Sequence, residues 1–88
     1  MSIEFERYSE FEDWAYENGY DPEAKFDVQE ESHKRETLLT FYMENSVSGS
    51  WACVKVFCSY DYGWGDVQVT EGLHRKAIVT TKYIYETW

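Results

Sequence analysis

The stretch Trp51-Ala-Cys-Val-Lys-Val-Phe-Cys-Ser-Tyr60 decides the fold. It is rich in β-branched and aromatic residues, and its side chains sort by alternation into two faces. Ala52, Val54, Val56 and Cys58 form one wholly apolar face, whereas Trp51, Cys53, Lys55, Phe57 and Ser59 form a mixed one. That pattern predicts a strand packed on one side and half exposed on the other. Cys53 and Cys58, five positions apart, then fall on opposite faces with their Cα atoms about 16 Å apart. A disulfide needs less than about 7 Å, so the two thiols are expected to be free.

Turn signals bracket this strand. Asn45 to Ser50 is rich in Asn, Ser and Gly, and Asp61-Tyr-Gly-Trp-Gly65 follows on the other side. Beyond them lie further strand candidates: Thr37 to Met43 before, and Asp66 to Thr70 and Lys76 to Tyr85 after, the last two separated by a turn at Glu71-Gly72.

Toward the N-terminus the period changes from two to about four. Ser9-Glu10-Phe11-Glu12 fits a capping box with Ser9 as N-cap, and Asn18-Gly19 is a helix stop. Between them Phe11, Trp14, Ala15 and Asn18 share one face, which Phe5 and Tyr8 extend if the helix starts earlier. Glu6, Glu10, Asp13 and Glu17 line up on the opposite side. Asp21-Pro22 reads as the N-cap and first residue of a second helix with a thin inner face, Ala24, Val28 and at most Glu31. The charged run from Gln29 to Glu36 fits either the end of that helix or a loop. Helical signals followed by strand signals predict an α+β fold: one or two N-terminal helices packed on a three- to four-stranded, mostly antiparallel sheet. At 88 residues the chain has room for one domain, with 1–36 its acidic helical part and 37–88 its β-rich part.

The charge is as informative as the pattern. Asp and Glu number 17 against 8 Lys and Arg, a net of −9. Residues 1–36 hold 12 acids and 4 bases, so the first part of the chain carries nearly all of the imbalance. Such a chain lacks the clustered cations that grip nucleic-acid phosphates or anionic membranes. No apolar run approaches the roughly 18 residues of a membrane span, and the start Met-Ser-Ile-Glu-Phe-Glu-Arg lacks a basic and then apolar leader pattern, so the expected location is cytoplasmic.

No catalytic or cofactor motif is present, and none is expected to be used. Tyr62-Gly-Trp-Gly-Asp66 lacks the lysine and spacing of a phosphate loop, and Asp61 to Asp66 lacks the ligand spacing of a calcium loop. His33 and His74 are isolated, and there is no Cys-x-x-Cys, so no metal set is predicted. Two features remain. Carboxylates three or four positions apart on a helix lie about 5–6 Å from one another. That is close to the phosphate repeat of a nucleic-acid strand, so Glu6, Glu10, Asp13 and Glu17 would suit a basic groove; the plain alternative is a solvated face. Tyr60, Tyr62 and Trp64 concentrate aromatics in a connection, the residue types that anchor interfaces, unless Trp64 folds back over the sheet edge.

With 19% aromatic residues, this lopsided acidity and the missing catalytic signature, the chain resembles in composition the small acidic inhibitor proteins of bacteriophages and mobile elements. These block nucleic-acid-binding enzymes of restriction, CRISPR or repair systems, some by imitating the charge of DNA. The resemblance implies a non-enzymatic binder whose partner is a basic protein. The alternative is a small interaction module or homodimer that uses aromatics and a sheet edge, its charge serving solubility. A small enzyme is the third class.

Overall fold

The computed structural model describes residues 2–59, 63–79 and 82–87, with the side chains of residues 59, 63, 64, 78 and 79 left aside. It is an α+β fold in which one helix packs against an open six-stranded antiparallel sheet. The elements are β1 (Ser2–Phe5), α1 (Tyr8–Glu17), β2 (Phe26–Ser32), β3 (Glu36–Glu44), β4 (Trp51–Ser59), β5 (Gly63–Val79) and β6 (Lys82–Thr87). The strand order is β1-β5-β4-β3-β2, and β6 pairs with the distal half of β5.

The apolar-faced strand β4 sits at the centre of the sheet. Along β4, Val54 faces Phe41 of β3 and Val69 of β5, and Val56 faces Leu39 and Val67. These side chains, with Met43 and Ala52, make the inner face, and Phe11 and Ala15 of α1 press onto it with no solvent exposure. Phe5, Tyr8 and Trp14 pack around the margin, so the aromatic side of the helix covers the apolar face of β4 as its periodicity predicted. Cys53 and Cys58 are both free thiols.

The helix ends as expected and starts otherwise. At its C-terminus Gly19 takes φ +87°, and the Tyr20 N–H donates to the Ala15 carbonyl at 2.9 Å. That is a Schellman closure, and Tyr20 stacks on Trp14 at 5.4 Å to complete it with an apolar contact. At the N-terminus the capping residue is Arg7, which supplies no side-chain cap, so the Ser9 capping box does not form. The reason is β1: pairing Ile3 with Val69 and Phe5 with Val67 brings the chain to the helix early, and the first turn forms before Ser9.

Three further expectations are corrected. The Asp21-Pro22 helix is a single turn, closed by Ala24 N–H to the Asp21 carbonyl at 3.1 Å. Asp followed by Pro suits the first two positions of a β-turn as well as it suits a helix start. With little apolar face to bury, nothing carries a costly helix nucleus further. The run after it becomes β2, an edge strand exposed throughout, which is why it shows no alternation. Residues 1–36 thus contain two strands as well as the helix, and the sheet has six strands rather than three or four.

The third correction shapes the molecule. Glu71-Gly72 is no turn between strands but a bulge within one 17-residue strand. Cys53 pairs with Thr70 and Trp51 with Leu73, so Glu71 and Gly72 together face Ala52 alone. Gly72 has φ +77°, the left-handed conformation that such a bulge needs and a Cβ disfavours. The extra residue inverts which side each later side chain takes. Val67 and Val69 point to the inner face, whereas Leu73 lies beside Trp51 on the outer one. The strand also bends here, and the β5–β6 ribbon beyond the bulge crosses the outer face of the sheet.

Candidate functional site

The bulge builds a second apolar cluster on the outer face. Trp51 and Leu73, 5% and 7% exposed, are buried there, apart from the inner core. Phe26 of β2 meets Trp51 edge-on at 5.1 Å, and Tyr85 of β6 stacks on Tyr42 of β3 with 3.6 Å between ring centroids. Arg75 lies opposite Tyr85 across the ribbon, and its guanidinium sits 4.2 Å from the ring centres of both Trp51 and Tyr83. A cation held between two aromatic faces is attracted by both ring quadrupoles.

A second bulge meets this cluster from the other side. Phe26 pairs with Tyr42 and Gln29 with Thr40, so Asp27 and Val28 together oppose Phe41. Asp27 takes φ +48°, and its carboxylate accepts a hydrogen bond from the Tyr85 hydroxyl. Burial, and then this carboxylate, hold the Tyr85 phenol well above its ordinary range, while Arg75 works against the shift. Asp27, Val28, Gln29, Tyr42 and the run Lys82 to Tyr85 line an open cleft of about 590 Å³.

On the helix, Glu10, Asp13 and Glu17 are exposed on the side opposite the buried Phe11 and Ala15, as the spacing predicts. Glu6 is also exposed but lies before the helix, at the bend after β1. It shares a second, smaller concavity with Glu4, Phe5, Asp66 and Gln68 rather than extending the helical row. Among the described residues Glu31 lies 3.8 Å from His33 Nε2 and Glu86 3.7 Å from His74 Nε2, contacts that are ionic only when the imidazole is protonated, and no carboxylate is paired with Lys or Arg. Tyr60 and Tyr62 lie outside the described residues, as does the side chain of Trp64.

Burial raises the Cys53 and Cys58 thiols above their usual range, which lowers the thiolate fraction a nucleophile needs. Among the described residues no His, Cys, Asp or Glu set converges as a metal site, and no helix is long and apolar enough to cross a membrane. No protein-family model, curated protein or solved structure matches the chain.

Little in the sequence announces the outer cluster. Arg75, Tyr83 and Tyr85 are brought to Trp51 by the Gly72 bulge, and Asp27 is aimed by a bulge in a strand that showed no strand pattern. The available signal was the alternation of Tyr83 and Tyr85, which requires an apolar surface beneath it.

Proposed function

We propose that this chain is a non-enzymatic binding protein whose acidic helix occupies a basic, nucleic-acid-binding surface of a partner protein, in the manner of a phage-type inhibitor of restriction or CRISPR enzymes. The observation that carries the reading is the division of α1: Phe11 and Ala15 are fully buried, while Glu10, Asp13 and Glu17 stand in solvent, and among the described residues no Lys or Arg is paired with them. Carboxylates at this spacing repel, at a cost of a few tenths of a kcal/mol per pair, and a basic partner would relieve that repulsion. A net charge of −9 also steers the approach of a cationic surface.

The sheet edge is a poorer candidate for pairing with a second copy. β2 carries Asp27, Glu30 and Glu31, charges that hold off a second acidic edge of the same kind. Two copies would also bring like charges together.

The test reverses the helix charges with Glu10→Lys and Asp13→Lys. Both side chains are exposed, so the double variant should melt within a few degrees of the parent. Tagged parent and variant proteins are used to capture partners from lysate at low salt, and the bound fraction is challenged with duplex DNA. The parent should release its partner to DNA and to high salt, and the variant should capture it at least tenfold less. Equal capture by the variant, or a partner that DNA does not displace, would reject mimicry.

A further inference from the structure

The cleft on the outer face has an unusual lining. Three consecutive residues of β2, Asp27 to Gln29, and four of β6, Lys82 to Tyr85, all border it. Neighbouring residues of a regular strand point to opposite faces, so a cavity touching four in a row of β6 is bordered by that strand's edge, and its other border is the bulged stretch of β2. Among the described residues β2 pairs with β3 alone and β6 with β5 alone. Two strand edges without a ladder partner therefore flank the same opening, whose floor is the Tyr42–Tyr85 stack. An unpaired edge offers a row of N–H and C=O groups to any extended chain.

The two strands that border the opening carry four acids against one base, although its lining alone holds one of each. Asp27 lines it, and Glu30, Glu31 and Glu86 continue the same two strands, whereas Lys82 is the one base of the lining. The adjoining wall of Trp51, Tyr83 and Phe26 already holds a guanidinium, that of Arg75. A second copy of this chain would bring its own −9 into the opening. The volume lies within the usual range for binding clefts.

We propose that this cleft receives an extended, basic segment of a partner polypeptide, which adds as a strand between the edges of β2 and β6 with an Arg or Lys against Asp27. Entry parts the Tyr85–Asp27 hydrogen bond and frees the carboxylate for the incoming cation. The proposal rests on the reading above for the basic character of the partner and uses a different surface.

The test uses the purified, isotopically labelled protein at about 150 mM salt, where exposed charges are screened beyond about 8 Å. The probe is an eight-residue peptide of alternating Thr and Arg with blocked ends. Its controls are the Thr/Glu analogue and an N-methylated copy of the Thr/Arg peptide. The Thr/Arg peptide should slow amide exchange in both β2 and β6 at least tenfold, and neither control should do so. Asp27→Asn keeps a residue that tolerates positive φ, and it should weaken the peptide three- to tenfold. Tyr85→Phe removes the closing bond and should tighten it. Glu10→Lys with Asp13→Lys should change the affinity less than twofold.

Protection of one strand only, equal binding of the Thr/Glu or N-methylated peptide, or no binding would overturn the proposal. So would protection that grows with protein concentration before peptide is added, which would assign the cleft to a second copy. Loss of peptide binding on helix reversal would also overturn it. If DNA still displaces a captured partner while the cleft ignores the Thr/Arg peptide, the helix reading stands and the cleft proposal falls.

Discussion

Replacing Gly72 separates the conformational role of the bulge from its role in register. Its φ is +77°, and a Cβ built there meets no atom within 4 Å. Gly72→Ala therefore costs only the left-handed backbone penalty of an L-residue, about 1–2 kcal/mol. In a domain of this size each kcal/mol lowers the melting temperature by about 4–8 °C. The variant should thus melt about 4–16 °C below the parent with its outer cluster intact. Deleting Glu71 and Gly72 together is a different perturbation. Leu73 would then face Ala52, and Leu73, Arg75 and Ala77 would turn toward the helix side. The burial of Leu73 is worth about 1.5–3 kcal/mol, and the Arg75 stacking adds about 0.5–2 kcal/mol. A small domain has roughly 5 kcal/mol of net stability, so the deletion should leave a marginal fold with the ribbon detached. Circular dichroism melts give the stabilities, and the ring-current shifts of Tyr42 and Tyr85 report whether their stack survives. Gly72→Ala melting with the parent, or the deletion keeping the tyrosine shifts, would refute the parity reasoning.

Val56 is fully buried between Leu39 and Val67. Val56→Ala should cost about 1–3 kcal/mol as a lowered denaturant midpoint, and an unchanged midpoint would mean that the inner face is open. Cys53 and Cys58 are free, so denaturing alkylation without reductant should add two labels by mass, and a protein taking none would contradict the strand placement. Tyr20 donates to Glu71 Oε1 at 2.8 Å; burial first and this carboxylate second push its phenol up to about 12 from 10. The folded state keeps a proton that the unfolded chain releases, so this contribution is complete below pH 10 and is lost as pH rises from about 10 to 12. Tyr20→Phe should lower stability at neutral pH by about 1–3 kcal/mol and flatten the alkaline decline, and a decline as steep as the parent's would show that other groups cause it.

Local pattern determined the parts of this protein whose partners lie close in sequence or whose faces differ in polarity. The Ala52, Val54, Val56 and Cys58 alternation placed β4, and the Phe11, Trp14 and Ala15 spacing with Asn18-Gly19 placed α1. The exposure of Glu10, Asp13 and Glu17 followed from the opposite side of the same helix. Tertiary structure decided the rest. β1 is four residues long and exists because β5 pairs with it. β2 is solvated on both sides, so no alternation marks it, and a turn motif shared with helix starts precedes it. Gly72 reads as a turn from its neighbours alone; whether the chain reverses there or bulges depends on whether β4 continues to pair with it. That choice turns Arg75 and Tyr85 toward Trp51 and Asp27. The outer cluster and its cleft therefore belong to the long-range register of the sheet, of which the alternation of Tyr83 and Tyr85 is a partial local trace.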